Sequence, residues 1–143
     1  MRENRVCWEQ PSMTVKAAAS RDDREAEGTA AVTVSGPELS VVVPMRNEAP
    51  GIDALMHRLL PALDRLNLSY EILCVDDGSG DATWAALLAW RAREESIRLL
   101  SLSRNFGKEV ALTAGLDAAR GKAVVLIDAD LQHPPELIEA FVA

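Results

Sequence analysis

The chain has 143 residues, room for one domain, and its 48% hydrophobic and 26% charged residues are ordinary globular values. A net charge of −7 at pH 7 argues against nucleic acid as a partner, because phosphate backbones require a basic surface. No apolar run approaches the roughly 18 residues of a membrane span, and the N-terminus has no apolar segment typical of a secretory signal. The two cysteines lie far apart in the sequence and do not form a disulfide framework, so we expect a cytoplasmic protein.

The first 37 residues differ from the rest of the chain. They are rich in Asp, Glu, Arg, Ala, Ser and Thr and have no sustained apolar period. Such a segment buries too little apolar surface to offset the entropy lost on ordering. We predict a disordered leader over residues 1–37 and a folded unit over residues 38–143.

Strand and helix patterns alternate after residue 38. Strands are predicted at 39–43, ended by Pro44, and at 70–75, 97–102 and 124–127, the last as a fully buried strand. Helical spacing covers residues 50–66, where Pro61 should kink or split the helix, and further helices follow the other three strands, the first capped by Ser79 or Asp81. This alternation predicts an α/β fold: a mostly parallel sheet of about four strands with helices on both faces.

Polar loops follow each of the four predicted strands, at residues 44–48, 76–79, 103–108 and 128–133. The carboxyl ends of parallel strands meet at one edge of the sheet, and ligands of open α/β sheets bind outside that edge. We therefore expect the four loops to form one site.

The last of these loops contains Asp128 and Asp130. In an extended segment, residues i and i+2 point the same way, roughly 6–7 Å apart, so both carboxylates can reach one divalent cation. Gln132 offers a carbonyl oxygen at the next alternate position. A bare pair of aspartates after a strand is more often a solvated acidic turn than a metal site, and the choice depends on the rest of the chain.

Four segments together resemble one family. They are VVVPMRNE at 41–48, VDDGS at 75–79, SRNFGKE at 103–109 and DADLQHPPE at 128–136. In this order and spacing they resemble family 2 glycosyltransferases, most closely the polyprenyl-phosphate, dolichyl-phosphate mannosyltransferase-like branch. The resemblance implies the nucleotide-sugar-binding part of a Rossmann-like GT-A domain, with the acceptor half and the catalytic base beyond the metal motif.

The resemblance also implies roles for the loop residues. Pro44 and Glu48 are expected to close around the nucleoside, and Asp76, with its neighbour Asp77, to bond the edge of the base. The alternatives are a carboxylate favoured by a helix N-terminus for Glu48 and a simple turn for the two aspartates.

The remaining loop residues are expected at the diphosphate. The resemblance implies that Asp128, Asp130 and Gln132 hold Mg²⁺ or Mn²⁺. Arg104 and Lys108, the cations of the 103–108 loop, are candidate counter-charges for a diphosphate or an anionic acceptor, although they could equally be solvated basic side chains.

The implied function is a metal-dependent inverting glycosyltransferase. It would move a sugar from a UDP- or GDP-sugar to a polyprenyl phosphate acceptor at the membrane surface. The product would be used to build the cell envelope. Two other hypotheses stay open: a truncated nucleotide-binding remnant without catalysis, and a receiver-like domain in which aspartates and a lysine build a Mg²⁺ phosphoacceptor pocket.

Overall fold

The fold is a four-stranded parallel sheet with helices on both faces. The computed structural model describes residues 36–142, so the predicted leader over residues 1–37 lies outside the described residues except for its last two. In chain order the elements are β1 Leu39–Met45, α1 Ile52–Asp64, β2 Tyr70–Asp76, α2 Thr83–Arg93, β3 Ile97–Ser101, α3 Lys108–Ala118, β4 Ala123–Leu126 and α4 Ile138–Val142. Short 3-10 turns cover Ala49–Gly51 and Pro135–Leu137. The strand order is β3-β2-β1-β4, which confirms the predicted α/β class.

Two apolar clusters hold the layers together. On one face α1, α2 and α4 pack against the sheet, and the other face is covered by α3. Gly115 lets α3 approach closely, since a Cβ there would lie 2.3 Å from Cγ1 of Val42. Trp90 and Cys74 are buried in the first cluster, and burial raises the pKa of the Cys74 thiol to about 12. Within residues 36–142 no helix has the length and apolar character needed to cross a membrane.

Both prolines that were expected to interrupt an element lie inside one. Pro44 is part of β1, which continues to Met45. The carbonyl of Val42 accepts from Ile127 on the β4 side, and Pro44 faces that side beyond the last β1–β4 pair, so its missing N–H removes no sheet hydrogen bond. Pro61 lies in the last turn of α1, which is a single helix and is not split.

The prediction that the fourth strand is fully buried is wrong. β4 is an edge strand that pairs with β1 alone, and Val124 and Leu126 are 38% and 48% exposed. An apolar run indicates that its side chains favour burial, but it does not determine whether the strand has a neighbouring strand on one side or on both. Among the described residues, none pairs with the outer edge of β4.

Candidate functional site

An open cleft of about 370 Å³ lies at the carboxyl edge of the sheet. Loops after all four strands and the start of α3 contribute its walls. Six of the nine predicted site residues line it: Pro44, Glu48, Asp77, Lys108, Asp128 and Asp130. The structure thus brings together side chains separated by more than 80 positions in the sequence. Asp76, Arg104 and Gln132 are not part of the lining.

The two aspartates of the predicted metal motif face the same cleft, but for a different reason than the one expected. β4 ends at Leu126, so neither Asp128 nor Asp130 belongs to the strand, and Asp130 lies in a turn. The turn is held by the backbone N–H of Gln132, which donates to Oδ1 of Asp130 at 3.1 Å. Gln132 therefore contacts Asp130 through its backbone N–H.

Lys108 supplies a positive charge at this motif. Its ammonium forms an ion pair with Oδ1 of Asp128, and both side chains are partly exposed. A cation at the first position of a helix is disfavoured by the helix dipole, so the carboxylate also offsets that cost. The Asp128 carboxylate therefore already accepts a cation supplied by the chain itself.

The donor set fits a divalent ion that arrives with a diphosphate. Within residues 36–142 no group of three or more His, Cys, Asp or Glu side chains could hold a metal by itself. Mg²⁺ is commonly bound through one or two carboxylates while substrate phosphates and water complete its octahedron. Asp128 and Asp130 match that arrangement, since both oxygen donors face an open cleft.

Asp77 anchors the neighbouring loop. Its two carboxylate oxygens accept the backbone N–H groups of Phe106 at 2.8 Å and Gly107 at 3.0 Å. The guanidinium of Arg104 lies 4.4 Å above the ring of Phe106. Asp77 thus ties the segment that leads into α3 to the end of β2, and through it fixes the position of Lys108.

Gly78 is required where two loops cross. Its φ of 67° lies in the left-handed region, and a Cβ would lie 2.4 Å from the carbonyl carbon of Arg104. No other residue type combines that backbone angle with so close an approach. The close packing of the loops after β2 and β3 depends on this position.

Asp76 is buried beneath the cleft. Its Oδ1 accepts the hydroxyl of Ser79 and, at 3.3 Å, the Ser79 backbone N–H. Burial raises the pKa of the Asp76 carboxyl above its ordinary value, against the effect of these two hydrogen bonds. The predicted contact with a base remains a prediction for this residue.

A set of hydrogen bonds that the sequence analysis missed joins the loop after β1 to the loop after β2. The N–H of Asn47 donates to Oγ of Ser79 at 2.9 Å, and the N–H of Gly80 donates to Oδ1 of Asn47 at 2.9 Å. The N–H of Glu48 donates to Oγ1 of Thr83, also at 2.9 Å. The available signal was an Asn two residues after the end of a strand, because Asn tolerates the left-handed backbone that it adopts here.

Neither predicted cap of α2 occupies the N-cap position, which is Ala82 and has no side-chain cap. Asp81 lies one residue earlier and accepts the N–H of Thr83, the first residue of the helix, at 2.9 Å. Ser79 does not cap the helix and instead bonds Asp76 and Asn47.

Open parallel α/β sheets bind their ligands outside the carboxyl edge, which is where the acidic loops of this chain lie. Residues 40–143 match the family model described as Glycosyl transferase family 2. The chain therefore belongs to glycosyl transferase family 2, and the family predicted from the four motifs is confirmed.

Individual relatives agree with this assignment. An uncharacterized glycosyltransferase of Synechocystis sp. is 52% identical over 105 residues, which are 73% of this chain and 33% of that protein. The undecaprenyl-phosphate 4-deoxy-4-formamido-L-arabinose transferase of Aeromonas hydrophila is 41% identical over 106 residues, 73% of this chain and 32% of that protein. The chain thus spans about a third of the length of the curated relatives it matches.

A solved structure shares the fold. The mannosyltransferase of Pyrobaculum calidifontis, in complex with GDP-Man and Mn²⁺, is similar with a TM-score of 0.55 and 28% identity. The similarity covers 80% of this chain and 34% of the mannosyltransferase. The predicted GT-A class is in agreement with this likeness.

Proposed function

We propose that the cleft binds the nucleotide-sugar donor of a metal-dependent inverting glycosyltransferase. The observation that carries this proposal is the convergence of two carboxylates and a lysine ammonium, Asp128, Asp130 and Lys108, in the cleft that Pro44 and Glu48 also line. In a chain with a net charge of −7, a diphosphate needs such local cations and a metal to bind.

The donor would lie along the cleft with its two ends on different loops. Glu48 would accept from ribose hydroxyls beside Pro44, and Asp76 would contribute at the base. Asp128 and Asp130 would hold Mg²⁺ or Mn²⁺ on the diphosphate, with Gln132 beside them and Lys108 and Arg104 as counter-charges. The bound ion would act as a Lewis acid that stabilises the departing diphosphate. The Pyrobaculum calidifontis mannosyltransferase, solved in complex with GDP-Man and Mn²⁺, supports a nucleotide sugar with a divalent ion as the ligand.

The acceptor would be a polyprenyl phosphate at the membrane surface, and the glycosylated product would be used in envelope synthesis. A phosphate oxygen would attack the anomeric carbon from the face opposite the diphosphate, forming the new C–O bond while the bond to the diphosphate breaks, with inversion. Such an acceptor is ionised near neutral pH and needs no general base. The undecaprenyl-phosphate transferase relative supports this acceptor class.

Donor binding can be measured on the 143-residue chain by isothermal titration calorimetry with UDP and GDP, in Mn²⁺ and in EDTA. We expect one of the nucleotides to bind, and only with Mn²⁺. Asp130→Ala should lose this binding, whereas Asp117→Ala, an exposed aspartate of α3 outside the cleft lining, should keep it. Absence of binding in Mn²⁺, or equal binding to Asp130→Ala, would contradict the proposal.

The same chain can then be incubated with nucleotide sugars, Mn²⁺ and a polyprenyl phosphate. Formation of the glycosylated lipid phosphate, followed by chromatography, would support transfer. Donor binding without any product would favour the alternative of a nucleotide-binding remnant.

A further inference from the structure

The loop after β1 holds a non-glycine residue with a positive φ angle. Asn47 has a φ of 52°, in the left-handed region that few residues other than glycine adopt. It lies directly before Glu48, and its own side chain is not part of the cleft lining. A non-glycine residue keeps such a backbone only where its surroundings hold it there.

Reciprocal hydrogen bonds hold Asn47 in this conformation. Its N–H donates to Oγ of Ser79 and its side-chain Oδ1 accepts the N–H of Gly80, both at 2.9 Å. The Ser79 hydroxyl in turn donates to the buried carboxylate of Asp76. The bonds form a continuous chain from the loop beside Glu48 to the end of β2.

The position of Glu48 follows from this chain. Its N–H donates to Oγ1 of Thr83, which is fully buried at the start of α2 and is itself bonded to Asp81. Glu48 is thus held on one side by the backbone of Asn47 and on the other by α2. Neither set of bonds extends to Asp128 or Asp130.

From these contacts we propose that Asn47 and Ser79 form a clasp that positions Glu48 relative to Asp76, and so determines affinity for the nucleoside end of the donor. The clasp leaves the metal–diphosphate end unaffected. This inference rests on the proposed function and makes both residues positioning residues, because neither lines the cleft.

The test compares two ligands on the full chain, the nucleotide that the wild type binds and inorganic pyrophosphate, each with Mn²⁺. Asn47→Ala removes the acceptor for Gly80 and disfavours the left-handed backbone, and Ser79→Ala removes the hydroxyl. We expect each variant to lose about tenfold in nucleotide affinity, the scale of one or two hydrogen bonds, with pyrophosphate affinity unchanged. Ser79→Thr, which keeps the hydroxyl, should restore nucleotide binding.

A variant that does not fold is recognised by circular dichroism, and Asn47→Gly then replaces Asn47→Ala. Glycine keeps the left-handed backbone and removes only the side-chain bond, so we expect a smaller loss of nucleotide affinity. Wild-type nucleotide affinity in folded Asn47→Ala and Ser79→Ala, or equal losses for nucleotide and pyrophosphate, would overturn the clasp alone. A wild-type chain that binds no nucleotide would overturn the proposed function together with it.

Discussion

The ammonium of Lys108 and the carboxylate of Asp128 form an ion pair inside the cleft. One residue begins α3 and the other follows β4, so the contact joins two walls of the site. An incoming divalent ion and this ammonium would compete for the same carboxylate oxygen. In the proposed function Lys108 is free to contact the diphosphate once the metal takes Asp128.

Replacing Lys108 by Met should therefore have opposite effects on two ligands. Without the ammonium, the affinity for Mn²⁺ alone should rise two- to fivefold, the scale of an exposed ion pair, while the affinity for the nucleotide diphosphate should fall. Electron paramagnetic resonance of free Mn²⁺ measures the first and calorimetry the second. Lys122→Met, at an exposed lysine beside the other end of β4, is the matched control. Unchanged Mn²⁺ affinity in Lys108→Met would contradict this competition.

Gly78 and Gly80 make a matched pair for testing the crossing of the loops. Alanine at Gly78 meets both a positive φ and backbone atoms 2.4 Å away, so Gly78→Ala should lower the free energy of unfolding by roughly 2–4 kcal/mol. A Cβ at Gly80 meets nothing within 4 Å, and Gly80→Ala should stay within about 0.5 kcal/mol of the wild type. Urea unfolding followed by tryptophan fluorescence measures both. Equal stability of the two variants would show that the loops do not pack as described.

Glu71 makes stability depend on pH at the opposite end of the sheet. Burial opposes its ionisation, but hydrogen bonds from Ser40, the Arg120 N–H and Arg98 outweigh that effect and lower the pKa of Glu71 below its ordinary 4.5. The ionised form therefore stabilises the fold above pH 4.5, and this contribution is lost as the pH falls through the lowered pKa.

Glu71→Gln should consequently be less stable than the wild type by roughly 1–3 kcal/mol at pH 7, because Arg98 is left without its anion. The difference should shrink as the pH falls below 4.5. Urea unfolding at a series of pH values measures it, with Glu95→Gln, at an exposed position, as the control. A difference that is constant across the acidic range would contradict the assigned pKa shift.

The strand and helix periods were sufficient to predict the parallel sheet and the edge at which its polar loops meet. They could not tell that β4 is an edge strand, because apolar residues at 124–127 suit either position. Pro44 was expected to end β1 because proline lacks an N–H, and the expectation failed because the β4 side of β1 is unpaired at that residue.

Individual contacts in the site were less predictable than its location. That Asp77 would bind backbone N–H groups, and Asp76 the hydroxyl of Ser79, depends on how separate loops cross in space. The left-handed backbone of Asn47 is compatible with asparagine. Its hydrogen-bond partners on the loop after β2 could not be predicted without knowing that β1 and β2 are paired.

The most direct test of the proposed donor site is a crystal structure of the chain with Mn²⁺ and the nucleotide that it binds, using the anomalous scattering of manganese to locate the ion. We expect an anomalous peak between the carboxylates of Asp128 and Asp130, bridging to the diphosphate, with the nucleoside beside Glu48 and Lys108 moved away from Asp128. A manganese peak elsewhere on the chain, or nucleotide bound outside this cleft, would contradict the account.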